Sequence, residues 1–309
     1  MSSTTAANGS TGKRLPSGIF VAMMTPTDAD GRLATAVIRD HAAALKSHGV
    51  HGIMALGTTG EFPLLSVETR LEFLDVLSTH STGVPILANV SDASPRGAFQ
   101  LSRRAKEIGA IGVAILPPYY YAISQQDLGE FFVRVAEVSG LPVWLYNFPE
   151  RTGTRIELET IAWVADRVPM VGIKQSGGDF GYHKDLVKLG REKGYSVFTG
   201  ADPRLAETMA LGARGCIGGM GNAVGDIKVG LFNAVEAGDA TRAEVFTQQL
   251  KTIAARIDVF PFPLNIAAMM EARGLPIGHP KTIHAPSTWA GYKELVADLR
   301  AIYQQIGLR

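Results

Sequence analysis

The sequence predicts an α/β fold, a (β/α)8 barrel with a C-terminal helical extension. Three observations carry this expectation. Short apolar runs alternate with amphipathic stretches along most of the chain. The runs are apolar throughout rather than alternating with polar residues, which marks parallel strands buried on both faces. Their recurrence fits strand–helix units of roughly 20–35 residues, and eight such units can be placed.

The first strand is expected over 19–24, with a helix over 35–48. The second strand, 51–56, precedes a helix over 66–80. Strands over 85–90, 111–116, 142–146, 170–174, 196–199 and 214–217 continue the series. Helical patterns between them include 95–108, 126–138 and 203–211. A doubly wound open sheet is the rival architecture, but it usually carries a glycine fingerprint after its first strand. Here the first run passes straight into Thr25-Pro26. After about Gly238 no strand is evident, and three helices are expected over 240–257, 263–273 and 288–306. The expected organisation is a disordered tail over 1–15, a catalytic barrel over 16–237 and a helical extension over 238–309. The tail expectation rests on its Ser, Thr, Ala and Gly content, which offers little to bury.

Composition narrows the function classes. Apolar residues make up 46% of the 309, enough for a large core. The net charge of +1 supplies no field to attract nucleic acid or an acidic membrane surface. No run of about 18 apolar residues suggests a membrane span. Cys216 is the sole cysteine, so no disulfide can form within the chain, and a cytoplasmic enzyme is expected.

Chemistry in such a barrel belongs at the C-terminal ends of the strands. Lys174 closes the run Val171-Gly172-Ile173-Lys174. It could simply snorkel from a strand end. At the mouth of an apolar barrel, however, desolvation disfavours the ammonium and makes a nucleophilic amine accessible. Such an amine condenses with ketones, and the protonated imine then draws electrons from the adjacent carbon. Tyr146 closes the preceding strand and, at an inter-strand spacing of about 4.8 Å, can lean over Lys174. It is either a packing tyrosine or a proton shuttle.

Gly57-Thr58-Thr59-Gly60-Glu61 follows the second strand. Its small residues, hydroxyls and free N–H groups suit a carboxylate, with a phosphate as the competing ligand. The loops Thr199-Gly200-Ala201-Asp202 and Gly218-Gly219-Met220-Gly221 could also hold a phosphate. The seven histidines lack paired ligand spacing at strand ends, so neither a metal nor another cofactor is expected. Cys216, inside the eighth strand, is expected to be a small buried hydrophobe rather than a nucleophile.

These motifs resemble the dihydrodipicolinate synthase/N-acetylneuraminate lyase family over nearly the whole chain. The resemblance rests on Gly57-Thr58-Thr59-Gly60-Glu61, Pro118-Tyr119-Tyr120-Tyr121, Tyr146-Asn147-Phe148-Pro149 and Gly172-Ile173-Lys174, in the family's order and spacing. It implies that Lys174 forms a Schiff base with pyruvate or another 2-keto acid. Thr59 and its backbone, with Gly57 beside them, would bind the carboxylate. Tyr146, Thr58 and Tyr120 would form a hydroxyl relay, Tyr120 reaching across a subunit interface, so a homodimer or homotetramer is implied. The main chain near Gly200 and Ile217 would line the pocket floor. Arg151 stands where synthases of this family place an arginine for the aldehyde partner's carboxylate, which favours a synthase using aspartate semialdehyde. Asn89-Val90-Ser91-Asp92-Ala93-Ser94 departs from the turn usual in synthases. Tyr119-Tyr120-Tyr121-Ala122-Ile123-Ser124 and Lys174-Gln175-Ser176-Gly177-Gly178-Asp179 lean towards sialic acid lyases and keto-deoxy sugar acid aldolases or dehydratases. A barrel that holds a keto acid without turnover is the remaining alternative of a different class. A phosphate-sugar isomerase is disfavoured, because no glutamate–histidine pair is evident.

Overall fold

The computed structural model describes residues 15–308, so the expected tail lies outside the described residues except for Leu15. Eight strands close into one parallel barrel in sequence order. They are β1 (Gly18–Ala22), β2 (Gly52–Ala55), β3 (Ile86–Asn89), β4 (Gly112–Ile115), β5 (Val143–Asn147), β6 (Met170–Gln175), β7 (Ser196–Thr199) and β8 (Gly215–Gly218). The barrel closes where β8 pairs with β1, Ile19 opposite Cys216 and Phe20 opposite Ile217. Between the strands run α1 (Thr35–Ser47), α2 (Val67–His80), α3 (Pro95–Glu107), α4 (Gln125–Ser139), α5 (Pro149–Thr152), α6 (Leu158–Ala165), α7 (Phe180–Lys193) and α8 (Leu205–Leu211). After β8 come α9 (Gly221–Glu236), α10 (Ala240–Ile257), α11 (Leu264–Ala272) and α12 (Pro286–Gln305).

The first four strands are shorter than the apolar runs that mark them, whereas β5 to β8 match their runs to within a residue at each end. The first run extends to Met24, but the ladder ends at Ala22. Met24 instead donates its N–H to the Asn222 side chain at 3.0 Å. Apolar residues continue past the ladder because the loops at the mouth are themselves covered. Residues 203–211 divide into a 3-10 turn containing Pro203 and the helix α8.

Inside the barrel, Phe20, Trp144 and Phe198 pack as an aromatic cluster, Trp144 tilted against both phenylalanines and Phe20 edge-on to Phe198, with Trp144 and Phe198 centroids 4.8 Å apart. Gly172 makes room for it, since a Cβ there would lie 2.8 Å from the Trp144 ring. These rings fill the barrel interior, and Phe198 stands opposite Lys174 in the β6–β7 ladder.

The C-terminal helices share a core with the barrel wall. Ile19 of β1 and Cys216 of β8 are buried in one cluster with Ile227 of α9, Ile253 of α10, Leu264 of α11 and Leu295 of α12. This continuity brings α11 over the barrel mouth.

His41 of α1 is completely buried, and burial lowers its pKa from 6.5 to about 4. The unfolded chain therefore binds a proton there that the folded chain refuses between those two values. Stability contributed by neutral His41 should be complete above pH 6.5 and lost as the pH falls towards 4. The loss is about 3 kcal/mol at most. His41→Leu removes this sensitivity, so the stability difference between wild type and variant, measured by urea unfolding, should change across that window. A difference independent of pH would contradict the assignment.

Candidate active site

Register sets the central pair. In the β5–β6 ladder Tyr146 stands opposite Lys174, and residues paired across parallel strands point to the same face. Both side chains are buried, Tyr146 at 1% and Lys174 at 5% exposure. The Lys174 Nζ lies 4.1 Å from the Tyr146 ring centroid. The Tyr146 hydroxyl meets the Thr58 hydroxyl at 3.1 Å, across 88 positions of sequence. An amine, a phenol and an aliphatic hydroxyl thus converge at the mouth.

The turn carrying Thr58 and Thr59 is tightly folded. Gly60 donates its N–H to the Gly57 carbonyl and Glu61 to the Thr58 carbonyl, both at 3.0 Å. A Cβ on Gly60 would lie 2.7 Å from the Thr25 hydroxyl and 3.0 Å from the Met23 carbonyl oxygen. Only glycine permits that approach. Thr59 is buried against the end of β8, beside Gly219.

A cavity of about 490 Å³ opens above these groups. Of the residues singled out from sequence, Thr58, Thr59, Tyr146, Lys174, Gly200 and Arg151 line it. Gly57 lies behind the turn, against Ala22 and Met54. Ile217 is buried in the barrel core, and its neighbours Gly218 and Gly219 line the cavity instead. Tyr120 stands at the surface, 88% exposed, edge-on to the equally solvent-facing Tyr121. Arg151 sits in α5 with its guanidinium 6.0 Å above the Phe148 ring centroid. Among the described residues, no three His, Cys, Asp or Glu side chains converge as a metal site.

Several pocket residues escape a reading of the sequence. Phe262, Asn265 and Ile266, around the start of α11, roof the cavity. They carry no local motif, and only tertiary packing brings them there. Asp202, in the loop after β7 that the sequence offers for a phosphate, borders the cavity, but its ion pair with the fully buried Lys228 of α9 is not legible there. Burial is the largest influence on Lys228 and lowers its pKa, but the electrostatic attraction of Asp202 and Cys216 and the hydrogen bonds they accept from the amine together outweigh it, and the pKa is raised. Asp202 also accepts the Met220 N–H at 3.2 Å, and Lys228 donates to the Cys216 sulfur at 3.4 Å. Burial pushes the Cys216 thiol up to about 12, so it stays protonated, in keeping with a buried, unreactive cysteine. One sequence signal for Lys228 exists: it falls within the apolar stripe of Val224, Ile227 and Leu231.

The fold and site together define a class, barrel enzymes that present a buried lysine beside a phenol at the strands' C-terminal ends. The family model for the dihydrodipicolinate synthetase family matches residues 15–302, and the chain belongs to that family. It is 31% identical over 269 residues to a 4-hydroxy-tetrahydrodipicolinate synthase of Natronomonas pharaonis, covering 87% of this chain and 90% of the relative. It is also 31% identical over 266 residues to an Escherichia coli K12 protein named "Probable 2-dehydro-3-deoxy-D-pentonate aldolase", covering 84% and 88%. Among solved structures, a prophage protein of the same family from E. coli K12, in complex with pyruvate, superposes with a TM-score of 0.87 at 28% identity. That match covers 95% of this chain and 99% of the other.

Proposed function

We propose that the protein is a Schiff-base-forming lyase or synthase that joins pyruvate to an aldehyde, of the 4-hydroxy-tetrahydrodipicolinate synthase type. The observation that carries this reading is the contact set of Lys174, Tyr146 and Thr58 at the barrel mouth. The neutral Lys174 amine attacks the pyruvate ketone, and loss of water leaves a protonated imine. Removal of a methyl proton gives an enamine, whose carbon attacks the aldehyde while the aldehyde oxygen gains a proton. Hydrolysis then frees the lysine. Tyr146 moves protons in these steps, through Thr58 and Tyr120 of a neighbouring subunit. Thr59 and the backbone of its turn hold the keto-acid carboxylate, with Gly57, Gly200 and Ile217 shaping the surrounding main chain.

A homodimer, paired into a homotetramer, belongs to this reading. Its support is the exposed Tyr120–Tyr121 pair, which costs solubility unless another surface covers it. A cytoplasmic location is proposed on the single buried, reduced cysteine. Functionally, residues 16–237 act as the catalytic barrel and 238–309 as an extension that roofs it.

The second reading is a keto-deoxy sugar acid or N-acetylneuraminate-type aldolase or dehydratase, favoured by the likeness to the pentonate aldolase. Arg151 separates the two. It lines the cavity, and among the described residues no carboxylate pairs with it. A guanidinium can grip a free carboxylate through two parallel hydrogen bonds. With aspartate semialdehyde, Arg151→Ala should lose a contact worth about 1.5–3 kcal/mol. That is a fall of about one to two orders of magnitude in kcat/KM for the aldehyde, with pyruvate saturation little changed. With a neutral sugar aldehyde the same variant should lose little. Steady-state assays with aspartate semialdehyde, N-acetylmannosamine and glyceraldehyde make the comparison. A small, equal loss with every aldehyde would remove the reason for ranking the synthase first.

A further inference from the structure

The segment between α11 and α12 lies against the loops of the barrel mouth. The His279 N–H donates to the Thr27 carbonyl at 2.7 Å, and the Thr27 hydroxyl donates to the His279 carbonyl at 3.3 Å. A Cβ on Gly278 would come within 2.6 Å of the Thr27 nitrogen, so this backbone sits directly on the loop after β1. Two residues beyond His279, the Lys281 Nζ meets the Glu61 carboxylate at 2.7 Å. Both side chains are buried, at 6% and 10% exposure.

Glu61 is the last residue of the turn that presents Thr58 and Thr59. It holds a left-handed conformation, with φ at +56°, which costs energy for a residue with a Cβ. Its N–H closes the turn on the Thr58 carbonyl. The ion pair borders a separate cavity of about 170 Å³, otherwise mainly apolar and lined by Phe262, Met270, Ile277 and Trp289. In such surroundings a carboxylate deprived of its partner must turn towards water or another donor. Either movement pulls on the turn two residues from Thr59.

We propose that Lys281 is a positioning residue: its buried ion pair with Glu61 holds the Thr58–Thr59 turn in the geometry that binds the keto-acid carboxylate. This rests on the imine reading above. The pair acts on keto-acid binding rather than on the amine, because Lys174 and Tyr146 are fixed separately by the β5–β6 ladder.

The test titrates pyruvate in the full-length protein, reading borohydride-trapped adduct on Lys174 by mass spectrometry. Lys281→Met and Glu61→Gln should each raise the half-saturating pyruvate concentration about tenfold. Adduct yield at saturation should stay at the wild-type level. The double variant should be no worse than either single variant, because each removes the same contact. If Lys281→Met does not fold, Glu61→Gln carries the comparison alone. A merely structural role would lower the melting temperature and leave half-saturation unchanged, which overturns the inference. Additive losses in the double variant overturn it as well. If wild type forms no adduct at any pyruvate concentration, the imine reading fails and takes this inference with it. Adduct formation with unaltered half-saturation in both single variants sinks the positioning role alone.

Discussion

Lys174→Ala is expected to abolish the pyruvate adduct and lower turnover by about 10⁴-fold or more, since the variant loses the group that forms the imine. The expectation follows from placement. Among the described residues, Lys174 is the one lysine that lines the cavity, it is 5% exposed, and its amine faces the Tyr146 ring. Wild-type protein treated with pyruvate and borohydride should gain the mass of one reduced adduct, localised to Lys174 by peptide mapping. The variant should gain none, while its melting temperature stays near wild type. Lys228 is the internal control, because it is buried outside the cavity lining and salt-bridged to Asp202. Labelling of Lys228, or turnover retained in Lys174→Ala, would end the Schiff-base reading.

The second large effect is on stability. Lys228→Met should lower stability by about 3–5 kcal/mol, because it leaves the Asp202 carboxylate buried without its counter-charge. Methionine nearly matches the lysine stem, so packing changes little and the charge accounts for the loss. For a domain of this size the fall corresponds to about 5–15 °C in melting temperature. Adding Asp202→Asn should recover much of it. The asparagine oxygen can still accept the Met220 N–H, and no lone charge remains. Thermal unfolding of the two single variants and the double variant supplies the comparison. A loss below about 1 kcal/mol in Lys228→Met would mean that water or another donor already satisfies Asp202.

How far sequence alone can reach differs between the two predictions. Lys174 and Tyr146 end recognisable apolar runs, and their facing positions follow from strand alternation once adjacent parallel strands are assumed. Lys228 is different. Its neighbours mark a buried helix face, but nothing local says that an aspartate from the loop after β7 will meet it there. The helix that carries it is itself hard to read. Gly221, Gly225 and Gly230 weaken the helical pattern, and Val224 leaves helical geometry where α9 kinks.

Short-range periodicity therefore carries eight buried parallel strands, the helices between most of them, and the residues at the strand ends. Hydrophobic period and strand register act over a few residues, so they survive in a one-dimensional reading. Which distant residues enclose the site is settled only in three dimensions. Closure of β8 on β1 and the shared core with α9–α12 bring Phe262, Asn265 and Ile266 over the mouth. The same packing sets Lys281 on Glu61, 220 positions away, and leaves Tyr120 at the surface. Such contacts arise from non-directional burial of whole faces, and a buried ion pair is selected by what surrounds it in space. Neither leaves a periodic mark on the chain.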